Sequence, residues 1–182
     1  MRLKVVIAAF AVAAFVPVTA LAQTVEPADK ANGARSCEAL KTSIGVATFN
    51  ATYGTNADKS NAFGQCVAKW TRAERQNRAE ATTACKAEQA DANFAATHGG
   101  KSFADFYGVG KRDAAAMQRC VQSKRQAAST EDRHATMNAA KQCKVERKLD
   151  EAAFKAKYGT NENKSNAFGK CVSKLAQAQQ DD

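Results

Sequence analysis

Six cysteines are the residues of this sequence whose spacing most directly implies chemistry. The shortest gap between neighbouring cysteines, from Cys66 to Cys85, is 19 positions, and no Cys-x-x-Cys pair occurs. The two histidines, His98 and His134, have no zinc-ligand spacing relative to the cysteines. An even number of cysteines behind an export leader is typical of disulfides, and residues 1–22 have the features of such a leader. The cysteines therefore predict a covalent framework rather than a metal site or a thiol nucleophile.

Helix geometry narrows the 15 pairings that six cysteines allow. The segments 66–85 and 120–143 contain no glycine or proline, so each should be one continuous helix. At 1.5 Å per residue their ends would lie roughly 28 and 34 Å apart, too far for disulfide-linked Cα atoms. The predicted pairs are Cys37–Cys66, Cys85–Cys120 and Cys143–Cys171. Each pair would close a loop of about 30 residues, worth roughly 3–4 kcal/mol in the chain-entropy model.

Two asparagine-rich loops begin with the ligand spacing of a calcium-binding loop. Oxygen-bearing side chains stand at positions 1, 3 and 5 of each loop: Asn56, Asp58 and Ser60, and again Asn161, Asn163 and Ser165. A calcium site needs several carboxylates and commonly a closing bidentate glutamate, whereas these loops offer one carboxylate or none and contain a lysine. Turn and cap chemistry accounts for the same residues more simply. We therefore predict no metal and no cofactor, and calcium binding stays an alternative.

A slanting basic stripe is predicted on one helix, where Lys69, Arg72, Arg75 and Arg78 recur every three residues. With a formal net charge of +9, the chain favours an anionic partner such as a cell-surface polymer. Interspersed glutamates make a solvated helix face the simpler interpretation. No nucleic-acid-binding motif accompanies the stripe, so nucleic acid is not the expected partner.

Sequence signatures of catalysis are absent. There is no Gly-rich phosphate loop, no Gly-x-Ser-x-Gly and no His-Glu-x-x-His. We therefore expect no enzymatic activity and no catalytic residues, with an unrecognised extracellular hydrolase as the remaining alternative.

The elements that position these residues form a threefold repeat. Residues 53–69 recur at 158–174 with 13 of 17 positions identical, and a degraded middle copy at 107–120 keeps the same Tyr-to-Cys spacing. Alanine-rich segments without glycine or proline join the copies and favour helix. The predicted fold is all-α, with three disulfide-stapled helical repeat units joined by long helices into a bundle or an elongated rod. The predicted order is a signal peptide at 1–22, a flexible leader at 23–35, repeat units at 36–70, 85–124 and 143–175, linking helices at 71–84 and 125–142, and a flexible tail at 176–182.

The first 22 residues predict export. Arg2 and Lys4 precede an apolar run at 5–16, and Ala20-Leu21-Ala22 is a small-x-small cleavage site. The run is too short for an ordinary bilayer span, so we expect cleavage after Ala22 and a secreted chain without a membrane span. Leaders of this kind direct proteins to compartments that permit disulfides.

The block Phe154-x3-Tyr158-Gly-Thr-Asn-x-Asn-Lys-Ser-Asn-Ala-Phe-Gly-Lys-Cys171-Val-Ser resembles a repeat in uncharacterised secreted cysteine-containing proteins of high-GC Gram-positive bacteria. The resemblance covers most of the chain after the leader, although Val109-Gly110-Lys111-Arg112 departs from it in the middle copy. It implies an exported repeat protein and no particular activity. We therefore expect a binding or structural module at the cell surface or cell wall.

Overall fold

The computed structural model describes residues 25–108 and 113–179, and within these ranges the fold is all-α, as predicted. The signal peptide predicted at 1–22 and the departing segment 109–112 lie outside the described residues. The helices are α1 (Pro27–Ile44), α2 (Val46–Tyr53), α3 (Ala62–Ala90), α4 (Phe94–Thr97), α5 (Phe103–Tyr107), α6 (Asp113–Leu149), α7 (Glu151–Tyr158) and α8 (Ala167–Ala178). Among the described helices, none is both long and apolar enough to cross a bilayer.

The three predicted disulfides are confirmed, and each lies at the centre of its own apolar cluster. The Cα atoms of Cys37 and Cys66 are 5.9 Å apart, and those of the other two pairs are 6.0 Å apart. A short helix in each unit (α2, α5 or α7) packs a phenylalanine and a tyrosine onto the disulfide. The disulfides therefore join the aromatic parts of the core, while alanine fills much of the rest.

Two long helices give the molecule its layout. α3 and α6 run antiparallel, cross-linked by Cys85–Cys120 at one end, by the Asn77–Asp132 hydrogen bond further along, and by packing of Met137 near Trp70 at the other end. α1 lies antiparallel to α3 along the same bundle. The middle unit (85–124) therefore sits at one end of the bundle, and the first (36–70) and third (143–175) units meet at the other.

The first and third units touch through α2 and α8. Adding a Cβ to Gly169 of α8 would bring it within 2.6 Å of the carbonyl oxygen of Thr52 in α2, so the backbones approach closely. Ala51 and Ile44 of the first unit also pack against the cluster of the third. This contact between repeats is heterologous, because it joins α2 of the first unit to α8 of the third, and these two helices are not equivalent in the repeat.

The repeat tyrosine is anchored in two different ways. Tyr107 donates a hydrogen bond to Glu88, and Tyr158 donates one to Glu146, both at 2.9 Å. Each glutamate lies three residues after the first cysteine of its unit, where the first unit has leucine. There, Tyr53 instead accepts a hydrogen bond of 3.2 Å from Trp70 Nε1. Burial outweighs this bond and raises the pKa of Tyr53 to about 12.

Both ends that were predicted to be flexible are helical over most of the residues that the structure describes. Residues 27–35 are the first turns of α1, because Pro27 stands in its first turn and Glu26 and Asp29 form a capping box. Asp29 is fully buried and hydrogen-bonds Arg78 of α3, which ties this segment to the bundle. At the other end α8 continues through Ala178 with Ala176 buried, because Ala176 extends the apolar face. Residues 180–182 lie outside the described part.

Candidate functional site

The interior between α1, α3 and α6 is polar rather than apolar. Its buried polar side chains include Asp29, Ser36, Glu74 and Ser129. A buried polar group is costly unless it is hydrogen-bonded. Each buried side-chain nitrogen and oxygen of the described residues has a partner. The bundle is therefore held by a defined hydrogen-bond network, and that network shapes its surface.

An arginine-lined cleft of about 410 Å³ opens on this network between the three helices. Its walls carry the guanidinium groups of Arg35, Arg125 and Arg133 and one carboxylate, that of Glu74. We call this the arginine cleft. Ala39 and several amide and hydroxyl side chains complete the wall: Asn32, Ser36, Gln122, Gln126 and Ser129. The cleft thus combines three positive charges with several neutral hydrogen-bonding groups.

Arg133 is held in place by hydroxyl groups rather than by a carboxylate. Its Nη1 donates to Ser129 Oγ at 3.0 Å and to Ser36 Oγ at 3.2 Å, and its Nη2 donates to Thr130 Oγ1 at 2.9 Å. Ser129 Oγ in turn donates to Glu74 Oε1 at 2.5 Å. The guanidinium is oriented by neutral oxygens, and the nearby glutamate is engaged by serine.

The neighbouring carboxylates of Glu74 and Asp132 offset part of the positive charge of the arginine cleft. In the described part of the chain, no carboxylate oxygen lies within 4 Å of a side-chain nitrogen of Arg35, Arg125 or Arg133. Arg35 Nε donates to the carbonyl oxygen of Ala31 at 3.4 Å, within its own helix. Three guanidinium groups around one serine-bound carboxylate make a site suited to an anion.

The predicted basic stripe is divided between different surroundings. Arg78 Nη1 lies 2.8 Å from Glu26, and its Nη2 lies 3.1 Å from Asp29. The hydrogen bond to Asp29 raises the pKa of Arg78 despite partial burial.

Lys69 and Arg72 line a second cleft, of about 510 Å³, together with Glu80, Glu131 and Asp132. Arg75 is half-buried on α3. Anion binding by the stripe stays a prediction.

Both asparagine-rich loops are closed by their own side chains. In the first loop, Asn61 Oδ1 accepts from the Thr55 backbone at 3.0 Å, and Asn56 Nδ2 donates to Ser60 Oγ at 2.9 Å. Asp58 Oδ1 accepts from both the backbone nitrogen and the hydroxyl of Ser60. The calcium candidates of this loop therefore bond one another, which accounts for them as turn residues.

The second loop repeats this arrangement. Asn161 Nδ2 donates to Asn163 Oδ1 and to Ser165 Oγ, both at 2.9 Å. Lys164 has a left-handed backbone, with φ 55°, and its Nζ donates to the Gly159 carbonyl at 3.1 Å. An ammonium group inside the loop opposes a cation there. Across the described residues, no group of three or more His, Cys, Asp or Glu side chains is arranged to hold a metal.

The arginine cleft was not predicted from the sequence, because its arginines come from two helices that are far apart along the chain, α1 and α6. A signal for it exists in α6, where Arg125, Ser129 and Arg133 recur at four-residue spacing, the spacing of one helix face. Polar residues at the spacing expected of a core indicate a face that packs through hydrogen bonds. Arg35 belongs to the segment that was predicted to be a flexible leader, so its place on α1 was not foreseen.

The fold and the cleft together define an all-α, disulfide-stapled protein with a basic cleft in a polar bundle. The chain matches no family model, no curated protein and no solved structure.

Proposed function

We propose that this protein is a secreted binding module that recognises negative charges on a cell-surface polymer through the arginine cleft. The observation that carries the proposal is the grouping of Arg35, Arg125 and Arg133 around one serine-bound carboxylate, without a compensating carboxylate within 4 Å in the described chain. Guanidinium groups match phosphate, sulfate and carboxylate through paired hydrogen bonds.

The hydrogen bonds behind the cleft support binding. Arg133 is held by Ser36, Ser129 and Thr130, so less side-chain entropy is lost when it meets an anion. The formal net charge, +9 for the full chain and +7 once Arg2 and Lys4 are removed with the leader, would also speed the approach of a polyanion. The three disulfides, each within one unit, favour an oxidising compartment, which supports secretion.

The proposal is tested by comparing two double variants that remove equal charge. Arg35→Gln/Arg125→Gln acts on the arginine cleft and spares Arg133, whose hydrogen bonds hold the bundle. Lys69→Gln/Arg72→Gln acts on the mixed-charge cleft and serves as the matched control. Binding of inorganic polyphosphate and of heparin should be measured by calorimetry at several salt concentrations.

We expect the cleft variant to weaken binding roughly tenfold or more and to flatten its salt dependence, and the control to change it about threefold or less. Equal losses in the two variants would mean that binding follows net charge alone. A larger loss in the control would assign the anion site to the predicted stripe. Absence of binding to both probes would contradict the proposal.

A further inference from the structure

The first and third repeat units have the same sequence block but very different surroundings. Phe168 and Phe63 occupy equivalent positions, yet Phe168 is 5% exposed and Phe63 is 38% exposed. Gly169 and Gly64 follow them, and the same contrast holds. A Cβ at Gly169 would meet the Thr52 carbonyl at 2.6 Å, whereas a Cβ at Gly64 would meet nothing within 4 Å. In the third unit, α2 of the first unit covers Gly169, and Arg147 of α6, whose guanidinium carbon lies 5.0 Å from the centroid of the Phe168 ring, covers part of that ring. The matching face of the first unit, around Phe63 and Gly64, is left open.

The complementary face is open on the third unit. In α2, the residues that approach α8 include Ala51 and Thr52, which are half-buried. Their equivalents in α7, Ala156 and Lys157, are exposed. One chain therefore leaves two faces uncovered. The face of α3 around Phe63 and Gly64 could receive a helix, and we call it the acceptor face. The face of α7 around Ala156 and Lys157 could be inserted, and we call it the donor face. Because the internal contact is heterologous, using it again would join one chain to another.

From this geometry we infer that the protein self-associates head to tail, with α7 of one copy seated on the Phe63–Gly64 face of the next. The contact would continue the α2–α8 interface that already joins the two units within a chain. A glycine inside a helix costs about 0.5–1 kcal/mol of stability relative to alanine. Within the described chain, no atom lies within 4 Å of a Cβ placed at Gly64, so the fold of a single chain does not require glycine at this position. A close backbone approach from a second copy would supply the reason.

The test uses two variants. One blocks the face of α3 around Gly64, and the other blocks the face of α7 around Ala156. Gly64→Gln places a side chain where the approach must be close, on an exposed helical position that tolerates it. Ala156→Arg enlarges the exposed donor face. Sedimentation velocity of the oxidised protein and of both variants, over a concentration series into the millimolar range, measures association. Circular dichroism confirms that each variant keeps its helical content.

We expect the unchanged protein to associate with increasing concentration, and each variant alone to do so at least about tenfold more weakly. An equimolar mixture of the two variants should form dimers and nothing larger, because each supplies the face that the other lacks. A monomer at every concentration would overturn the inference, and so would association that neither variant weakens. Failure of the mixture to dimerise would overturn the head-to-tail arrangement.

Discussion

At the scale of single residues, identical side chains have different energetic roles in different repeats. Gly64 and Gly169 show this most clearly, since one has open space at its Cβ position and the other has a carbonyl oxygen at 2.6 Å. The difference comes from the neighbouring unit and not from the repeat itself. Stability measurements on matched variants can therefore detect the contact between units.

Alanine substitutions at these two glycines should have opposite effects. Gly64→Ala should raise the free energy of unfolding by about 0.5–1 kcal/mol, because alanine favours an open helical position. Gly169→Ala should lower it by about 1–3 kcal/mol, because the new methyl group forces α8 away from Thr52. Urea unfolding at a concentration where the protein is monomeric measures both. Equal effects of the two changes would show that α2 does not pack against α8.

Asp29 should contribute more to stability than its exposed neighbour Glu26, although both contact Arg78. Asp29→Ala removes a fully buried carboxylate that binds the guanidinium twice, and should cost roughly 3 kcal/mol. Glu26→Gln, at the more exposed end of the same network, should cost less than about 1 kcal/mol. Chemical denaturation of each variant provides the comparison. A negligible loss for Asp29→Ala would mean that the start of α1 is not docked.

Glu146 should make the stability of the third unit depend on acid pH. The hydrogen bond from Lys157, together with that from Tyr158, lowers the pKa of Glu146 below its usual value of about 4.3 despite partial burial. Its contribution is therefore complete above that value and is lost as the pH falls through the lowered pKa. Glu146→Gln should flatten the loss of stability between about pH 5 and pH 3. Unfolding curves of both proteins across this range test it, and parallel curves would contradict the assignment.

At the scale of the elements, the sequence predicts the long helices and the three disulfides because both follow from local rules. An alanine-rich segment without glycine or proline is expected to form one continuous helix. The two ends of such a helix are too far apart to be joined by a disulfide. The start of α1 was missed although its capping box and Pro27 are local signals. The polar residues around them resemble a loop until Arg78, 49 positions after Asp29, provides a partner.

The arginine cleft could not be predicted because it is a property of three helices together. Residues from α1, α3 and α6 meet only after the disulfides and the Asn77–Asp132 contact fix the register of the bundle. The asparagine-rich loops are the opposite case. Their turn role was foreseen from residue type, because the bonds run between neighbours such as Asn56 and Ser60. The predicted side-chain cap is wrong, because Asn61 bonds back to Thr55 and not to the first turn of α3.

At the scale of the whole molecule, three small apolar clusters are joined by a polar bundle. Each cluster is centred on a disulfide, and the linking helices contribute mostly alanine and polar contacts. A single continuous apolar core does not form among the described residues. Stability should therefore depend on the covalent links more than in a protein of this size with an ordinary core.

Reduction of the three disulfides should unfold most of the protein. Each closes a loop of 28 to 35 residues, and loss of each constraint is worth about 3–4 kcal/mol in the chain-entropy model. The sum of about 10 kcal/mol is comparable to the whole stability of a typical domain. Circular dichroism in excess reductant should show loss of helix and a lower melting temperature. An unchanged, heat-resistant helical spectrum would contradict this view.

The central proposal is that Arg35, Arg125 and Arg133, which line the arginine cleft together, bind an anion. The most direct measurement follows the side-chain Nε–Hε resonances of the arginines by NMR while polyphosphate is added to the oxidised protein. We expect saturable shifts at these three residues, with small changes at Arg72. Shifts that are largest at Arg72, or spread evenly over every arginine without saturation, would contradict it.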